Sequence, residues 1–314
     1  MVNKIKRIIY ASVMVCIFTQ ALPVAAHETN GTDSVCISME VNSKRALLNG
    51  EPITLNNAPF LENGTVYVPL REIIDLYGGI VAYIQDEQAV LIAIKRINDL
   101  GYDQGYFSKI WIGKQKVLTD TGEAFIHPTY PKNCVPIIKN NTAFIPADYI
   151  DFCLVANSLW DAERNRIIFY DSNDGLRVDK FVIGSDFNSL DKNIRNRFKT
   201  TGRIVDQSED GLFKIEVYSD GDMEVALMTN NVINEEIPPK EIYSIVLITD
   251  KYKTSRGLRV GDSIEKYWDL YGSTQWVPDH FVDKVDENGI MTIHYNYFFI
   301  VEIDNGKVSK IIIR

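Results

Sequence analysis

Thr254-Ser255-Arg256-Gly257 is the stretch of this sequence whose residue types best suit a ligand. Two hydroxyls, a guanidinium and a glycine precede Gly261-Asp262-Ser263, where a helix is expected to begin, and such a loop suits an anion. The competing role is conformational, with Gly257 and Gly261 shaping the entry to the helix. A second cluster, Asp279, Asp283, Asp286 and Glu287 near Trp276 and His280, has the residue types of a sugar-binding or sugar-cleaving site, or of a solvated loop. Asp220-Gly221-Asp222 carries a fragment of calcium-loop spacing, which hairpin turns also use. No Gly-x-Ser-x-Gly elbow occurs, and Cys134 and Cys153 lie in no nucleophile signature. His27, His127, His280 and His294 form no His-x-His pair. Binding is expected, with no catalytic residue, metal site or cofactor.

The elements that must carry these residues begin after an export signal. Lys4, Lys6 and Arg7 precede an apolar stretch from Ile8 to Leu22, and Val24-Ala25-Ala26 supplies small residues for cleavage after Ala26. Residues 1–26 are thus expected to be a signal peptide, and 27–34 a flexible leader. Removing three basic residues takes the formal charge from −9 to 30 − 42 = −12. That balance disfavours nucleic acid and anionic lipid as partners, and no basic cluster in the sequence reverses it. No later apolar stretch is long enough to span a bilayer. Cys36, Cys134 and Cys153 remain, an odd number; Cys153 reads as a small buried hydrophobe, with a Cys134–Cys153 disulfide as the alternative.

A repeat organises the first half. Ala58-Pro59 to Pro69 returns as Val135-Pro136 to Pro146 at a constant offset of 77, and the copies align without a gap to about Ala93. Each copy reads as short strands, an Asn-Gly or Gly-Lys turn, a strand ending in proline, a helix and two closing strands. Leu70, Ile73, Ile74 and Tyr77 form an apolar helical stripe. Trp160 replaces Tyr83, so each copy is expected to turn a large aromatic into its core. Copy one spans 35–97 and copy two 98–172, ending near Ser172-Asn173-Asp174-Gly175. Residues 176–314 read as a separate domain: a helix within 190–198, alternating strands, a helix carrying Ile264, Tyr267, Trp268 and Tyr271, and three closing strands. The expected class is α+β: two small modules, each an antiparallel sheet on one helix, then a C-terminal α+β domain with an antiparallel meander.

Asn63-Gly64-Thr65-Val66-Tyr67-Val68-Pro69-Leu70-Arg71, with Asn49-Gly50 and Leu76-Tyr77-Gly78, resembles the stalk domain of the copper amine oxidase N-terminal family, which occurs in tandem in exported proteins of Gram-positive bacteria. The second copy is degraded, with Ile145-Pro146-Ala147-Asp148 and Val155 at the position of Gly78. The resemblance implies a small sheet wrapped on one helix and no catalytic residues. The oxidase part would need paired histidines and an Asn-Tyr-acid segment, whereas Asn296-Tyr297 is followed by Phe298. Tyr252 to Ser263, with Leu270-Tyr271-Gly272, is similar to α+β modules of envelope proteins and to folds like the β-lactamase inhibitor protein, which implies a binding domain.

These readings converge on a secreted or wall-associated, non-enzymatic scaffold. Its tandem modules would present the C-terminal domain to a cell-wall polymer or to an envelope or secreted protein. A wall-directed hydrolase using C-terminal carboxylates and a secreted inhibitor or regulator are the alternatives.

Overall fold

A computed structural model describes residues 35–97, 103–119, 122–125, 134–154, 156–171, 177–230, 239–273, 281–282, 285–296 and 298–314. The expected signal peptide, leader and domain boundary at 172–175 lie outside the described residues, as do Trp276, Asp279, His280, Asp283, His27 and His127. Among the described residues strands far outnumber helices, a sheet-rich fold within the expected α+β class.

The first half runs β1 (Cys36–Glu40), β2 (Arg45–Leu48), β3 (Glu51–Thr54), β4 (Phe60–Glu62), β5 (Thr65–Pro69), α1 (Leu70–Leu76), β6 (Ile80–Ile84) and β7 (Ala89–Ile97). It continues through β8 (Asp103–Trp111), β9 (Lys116–Thr119), β10 (Gly122–Phe125), β11 (Ile137–Lys139), β12 (Thr142–Pro146), α2 (Tyr149–Leu154), β13 (Ala156–Asp161) and β14 (Arg166–Asp171). The offset of 77 maps β4 onto β11 and β5 onto β12 residue for residue. The two copies nevertheless do not fold side by side as closed units. One sheet has the order β13-β14-β1-β2-β3 and another β10-β9-β8-β7-β6, so each takes two strands from one copy and three from the other.

The third sheet, β11-β12-β5-β4, puts the copies back to back. Phe144 pairs with Pro69, Ile145 with Val68 and Pro146 with Tyr67, which is symmetric about the equivalent residues Val68 and Ile145. Both are fully buried. The helices bury Leu70, Ile73 and Ile74 from one copy and Tyr149, Ile150, Cys153 and Leu154 from the other into a single apolar cluster. The expected boundary at 97/98 falls at the end of β7, which pairs along its whole length with β8 of the other copy, Ile97 opposite Asp103. Tyr83 departs from expectation: it is 49% exposed on the edge strand β6, whereas Trp160, on the edge strand β13, packs against the core.

The second half contains β15 (Arg177–Val178), β16 (Phe181–Val182), α3 (Lys192–Arg195), β17 (Lys199–Gln207), β18 (Phe213–Ser219), β19 (Met223–Asn230) and β20 (Lys240–Leu247). Then come α4 (Ile264–Tyr271), β21 (Phe281–Val282), β22 (Met291–Asn296), β23 (Phe299–Asp304) and β24 (Lys307–Ile313). The expected helix within 190–198 is the single turn α3, capped by Asp191 through the amide of Asn193. The large sheet has the order β17-β18-β19-β20-β24-β23-β22-β21, two meanders joined at β20 and β24. Ser263 caps α4, its hydroxyl accepting from the amide of Lys266; of the expected face Tyr267 and Tyr271 are buried and Ile264 and Trp268 partly so, and Leu270 is buried with them.

Alternation in β1 and β14 explains how the halves meet. Ile37, Met39, Ile167 and Phe169 point into the first core. Cys36 and Ile168, from the opposite face, join the second core with Tyr267, Leu270 and Tyr271 of α4. Both faces of this sheet are therefore buried, one within the repeat and one against the C-terminal domain.

Candidate functional site

The seam between the halves is built from the residues singled out in the 250s. The Arg256 guanidinium is 2% exposed. It lies over the rings of Tyr170, Tyr271 and Tyr295 at 3.8, 4.5 and 5.1 Å from their centroids. It also donates to the Leu270 carbonyl at 3.0 Å and the Tyr295 hydroxyl at 3.2 Å. A buried guanidinium surrounded by three rings and a carbonyl is stabilised as a packing group. Arg256 thus faces the core, and the anion-binding role expected of it has no exposed guanidinium to work with. Thr254 is equally buried; its hydroxyl accepts from the Leu258 amide and from Tyr271. Gly257 touches the β2–β3 turn so closely that a Cβ there would lie 1.8 Å from the Asn49 carbonyl oxygen.

Charged groups complete the seam. Asp161, fully buried, accepts from the Ser273 amide at 2.8 Å and the Ser273 hydroxyl at 3.3 Å, and also from the amides of Glu163 and Arg164. Asp269 on α4 pairs with Arg166 at 3.0 Å and Arg164 at 3.2 Å, and its carbonyl accepts from Ser38 at 2.6 Å.

The outer side of the same loop opens onto a cleft of about 300 Å³. Its lining comes from the β2–β3 turn (Asn49), the β15–β16 hairpin (Arg177 and Asp179) and the loop after β20 (Lys251, Tyr252, Lys253, Thr254, Ser255 and Arg259). Of the expected binding residues, Thr254 and Ser255 reach this cleft, while Arg256 and Gly257 form the seam behind it. Behind the wall, Asp220 accepts from Tyr252 at 2.6 Å and pairs with Arg197 at 3.1 Å and Lys251 at 3.4 Å. Burial opposes the Asp220 charge, but the Tyr252 hydrogen bond, the amides of Asp222 and Met223, and Lys251 outweigh it and hold the carboxyl below its usual value. Burial, then the hydrogen bond to Asp220, raises the Tyr252 phenol.

The other candidates take structural places. Asp220 and Asp222 shape the β18–β19 turn and are neutralised by Lys251 and Arg197 together. Among the described residues no cluster of three or more His, Cys, Asp or Glu is placed to hold a metal. His294 is a strand residue of β22 opposite Ile300. Asp286 accepts from the amides of Asn288 and Ile290 and so closes a turn. Cys36, Cys134 and Cys153 are buried and form no disulfide with one another. Burial pushes the Cys153 thiol up to about 12, despite a lowering hydrogen bond with Ser108.

A second cleft, about 320 Å³, lies between the copies and is lined by Asn42, Asn57, Phe60, Lys139, Asn140 and Phe144 among others. Its polar groups are largely committed. Asn57 donates to Glu72, and the Lys139 ammonium sits 3.8 Å from the centroid of Phe60.

Sequence reasoning missed Arg177, Lys251, Lys253 and Arg259 as a group. Lys251, Lys253 and Arg259 fall within nine residues, a signal that was present; Arg177 arrives from a distant hairpin and left none.

Residues 28–94 match the copper amine oxidase N-terminal domain. The match ends within β7 and so covers the first copy of the repeat. It reaches neither the second copy nor the C-terminal domain. No curated protein matches the chain.

Proposed function

We propose that this protein is an exported, non-enzymatic cell-envelope scaffold. In this reading the second copy is a diverged version of the domain matched at 28–94, and the interleaved pair forms a rigid base. The C-terminal α+β domain, akin to the modules of envelope proteins, is held on that base and presented to a wall polymer or to an envelope or secreted protein. One observation carries the reading: the seam in which Arg256, Asp161 and Asp269 fix the C-terminal domain to the β1–β14 face. A buried network that spends its charged groups on positioning suits a presenting scaffold, because binding favours a pre-organised surface. β17 forms one edge of the large sheet and is exposed along its whole length, so it offers a surface for a partner. Gram-positive origin and wall association follow from the company that such domains keep in exported proteins.

The test is retention of the purified protein by insoluble cell-wall polymer, compared with capture of partners from a secreted proteome by the immobilised protein. Retention in either arm supports presentation, and the arm that retains it names the partner class. Failure in both, with a folded protein, defeats the scaffold reading.

A further inference from the structure

We propose that the cleft lined by Arg177, Lys253 and Arg259 binds a phosphate-type oxyanion carried on a small polyol or sugar. This goes beyond the envelope-scaffold reading and stands without it, because the chemistry of the cleft alone names the ligand class.

Charge distribution is the first ground. The chain carries 33 Lys and Arg against 42 Asp and Glu, yet the cleft lining carries four cations against one acid, Asp179. Lys251 is balanced by Asp220 and Asp222. Lys253 and Arg259 then contribute most to the field over the cleft, beside Arg177, whose Nε is engaged by the Asp179 carbonyl of its own hairpin, and like charges gathered in a concave site attract an anion more strongly than the same charges spread over a surface.

The fold holds these cations in place. Val178, next to Arg177, bridges to Thr254. Arg259 is anchored at one end of its fork by the carbonyls of Asp250 at 2.9 Å and Lys251 at 3.3 Å, and its own amide is taken by Asp262 at 2.8 Å. Lys253 makes no hydrogen bond or ion pair among the described residues, so its ammonium gives up no internal partner to meet a ligand.

Size and the remaining lining set what the anion is attached to. At about 300 Å³ the cleft is at the small end of ligand sites. It holds the equivalent of roughly ten waters at ~30 Å³ each, more than a bare oxyanion fills. Asn49, Asp179 and Ser255 make the rest of the lining polar, which suits a ligand's hydroxyls, although the Asn49 side-chain oxygen already accepts from the Cys36 amide.

Isothermal titration of the purified protein with glycerol 3-phosphate, inorganic phosphate and glycerol tests this directly. Glycerol 3-phosphate should bind, more tightly than inorganic phosphate, and glycerol should not. Raising salt should weaken the binding. Lys253→Glu should weaken it at least tenfold while leaving the thermal midpoint unchanged, and Arg177→Gln should weaken it severalfold. Absence of binding by glycerol 3-phosphate, or equal binding by wild type and Lys253→Glu, overturns the proposal. Equal affinity for inorganic phosphate overturns the polyol part and assigns the cleft to the free anion.

Discussion

Gly257→Ala is the sharpest perturbation of the seam, and Gly261→Ala is its internal control. Both glycines lie in one loop with nearly the same left-handed backbone, φ +91° and +89°. A Cβ at either position carries the steric cost of that conformation, about 1–2 kcal/mol. They differ in their surroundings. Nothing lies within 4 Å of a Cβ at Gly261, whereas at Gly257 it would sit 1.8 Å from the Asn49 carbonyl oxygen and 2.3 Å from its carbon. Relieving the first contact to 3.0 Å requires 3.0 − 1.8 = 1.2 Å of separation between the loop and the β2–β3 turn. The clash is backbone against backbone, so no side-chain rotation absorbs it. Overpacking of this kind adds about 1–3 kcal/mol. Gly257→Ala should therefore lose about 2–5 kcal/mol in all, as the sum of the two costs, and Gly261→Ala only the first part. Urea unfolding followed by tyrosine and tryptophan fluorescence reads the difference. If the two variants agree within about 0.5 kcal/mol, the limit of ordinary additivity, the close approach does not exist and the seam reasoning falls with it.

Further outcomes follow from the same contacts. Asp161→Ala leaves the amides of Ser273, Glu163 and Arg164 without their buried acceptor, and should lower unfolding stability by about 2–4 kcal/mol by denaturant titration. The pKa of Asp220 is depressed in the fold, so its contribution is present above the usual aspartate range and is lost as pH falls through the lower folded value. Thermal midpoints of wild type and Asp220→Asn should accordingly differ at neutral pH and converge in acid; a constant gap would contradict the ion-pair account. In protein lacking residues 1–26, Cys36, Cys134 and Cys153 should react with a thiol reagent only as fast as the fold opens, and at once in urea, because all three are buried.

Much of the local structure was legible because it depends on neighbours in sequence. Asn49-Gly50 adopts left-handed angles at both residues, as a tight hairpin requires, and Ser263 caps the helix it precedes. The cross-pairing of the copies was not legible. A repeat shows that two segments are alike, but it does not say whether a strand pairs within its own copy or with the other, since the hydrogen bonds are the same in both cases. Tyr83 failed for a related reason: its large ring suited a core, and nothing in its own segment separates it from Trp160, which also lies on an edge strand yet packs against the core. Arg256 read as a ligand group because nothing in its own segment announces the rings of Tyr170, Tyr271 and Tyr295 that enclose it. The cation cleft needed three remote segments to converge, and composition, dominated by acids, pointed the other way.

The pairing of β1 with β14 also sets how the molecule would carry a pull. Cys36 lies opposite Tyr170, so the chain enters and leaves the repeat body at the same end of one antiparallel ladder. A load applied between residues 35 and 171 would open that ladder one rung at a time from the Cys36–Tyr170 end, the weak unzipping direction, and not shear all its bonds together. Tension borne by the C-terminal domain takes a second route, through the Ser38 and Arg166 contacts with Asp269 farther along the same two strands. Those contacts act as a mechanical clasp, holding the ladder shut from outside.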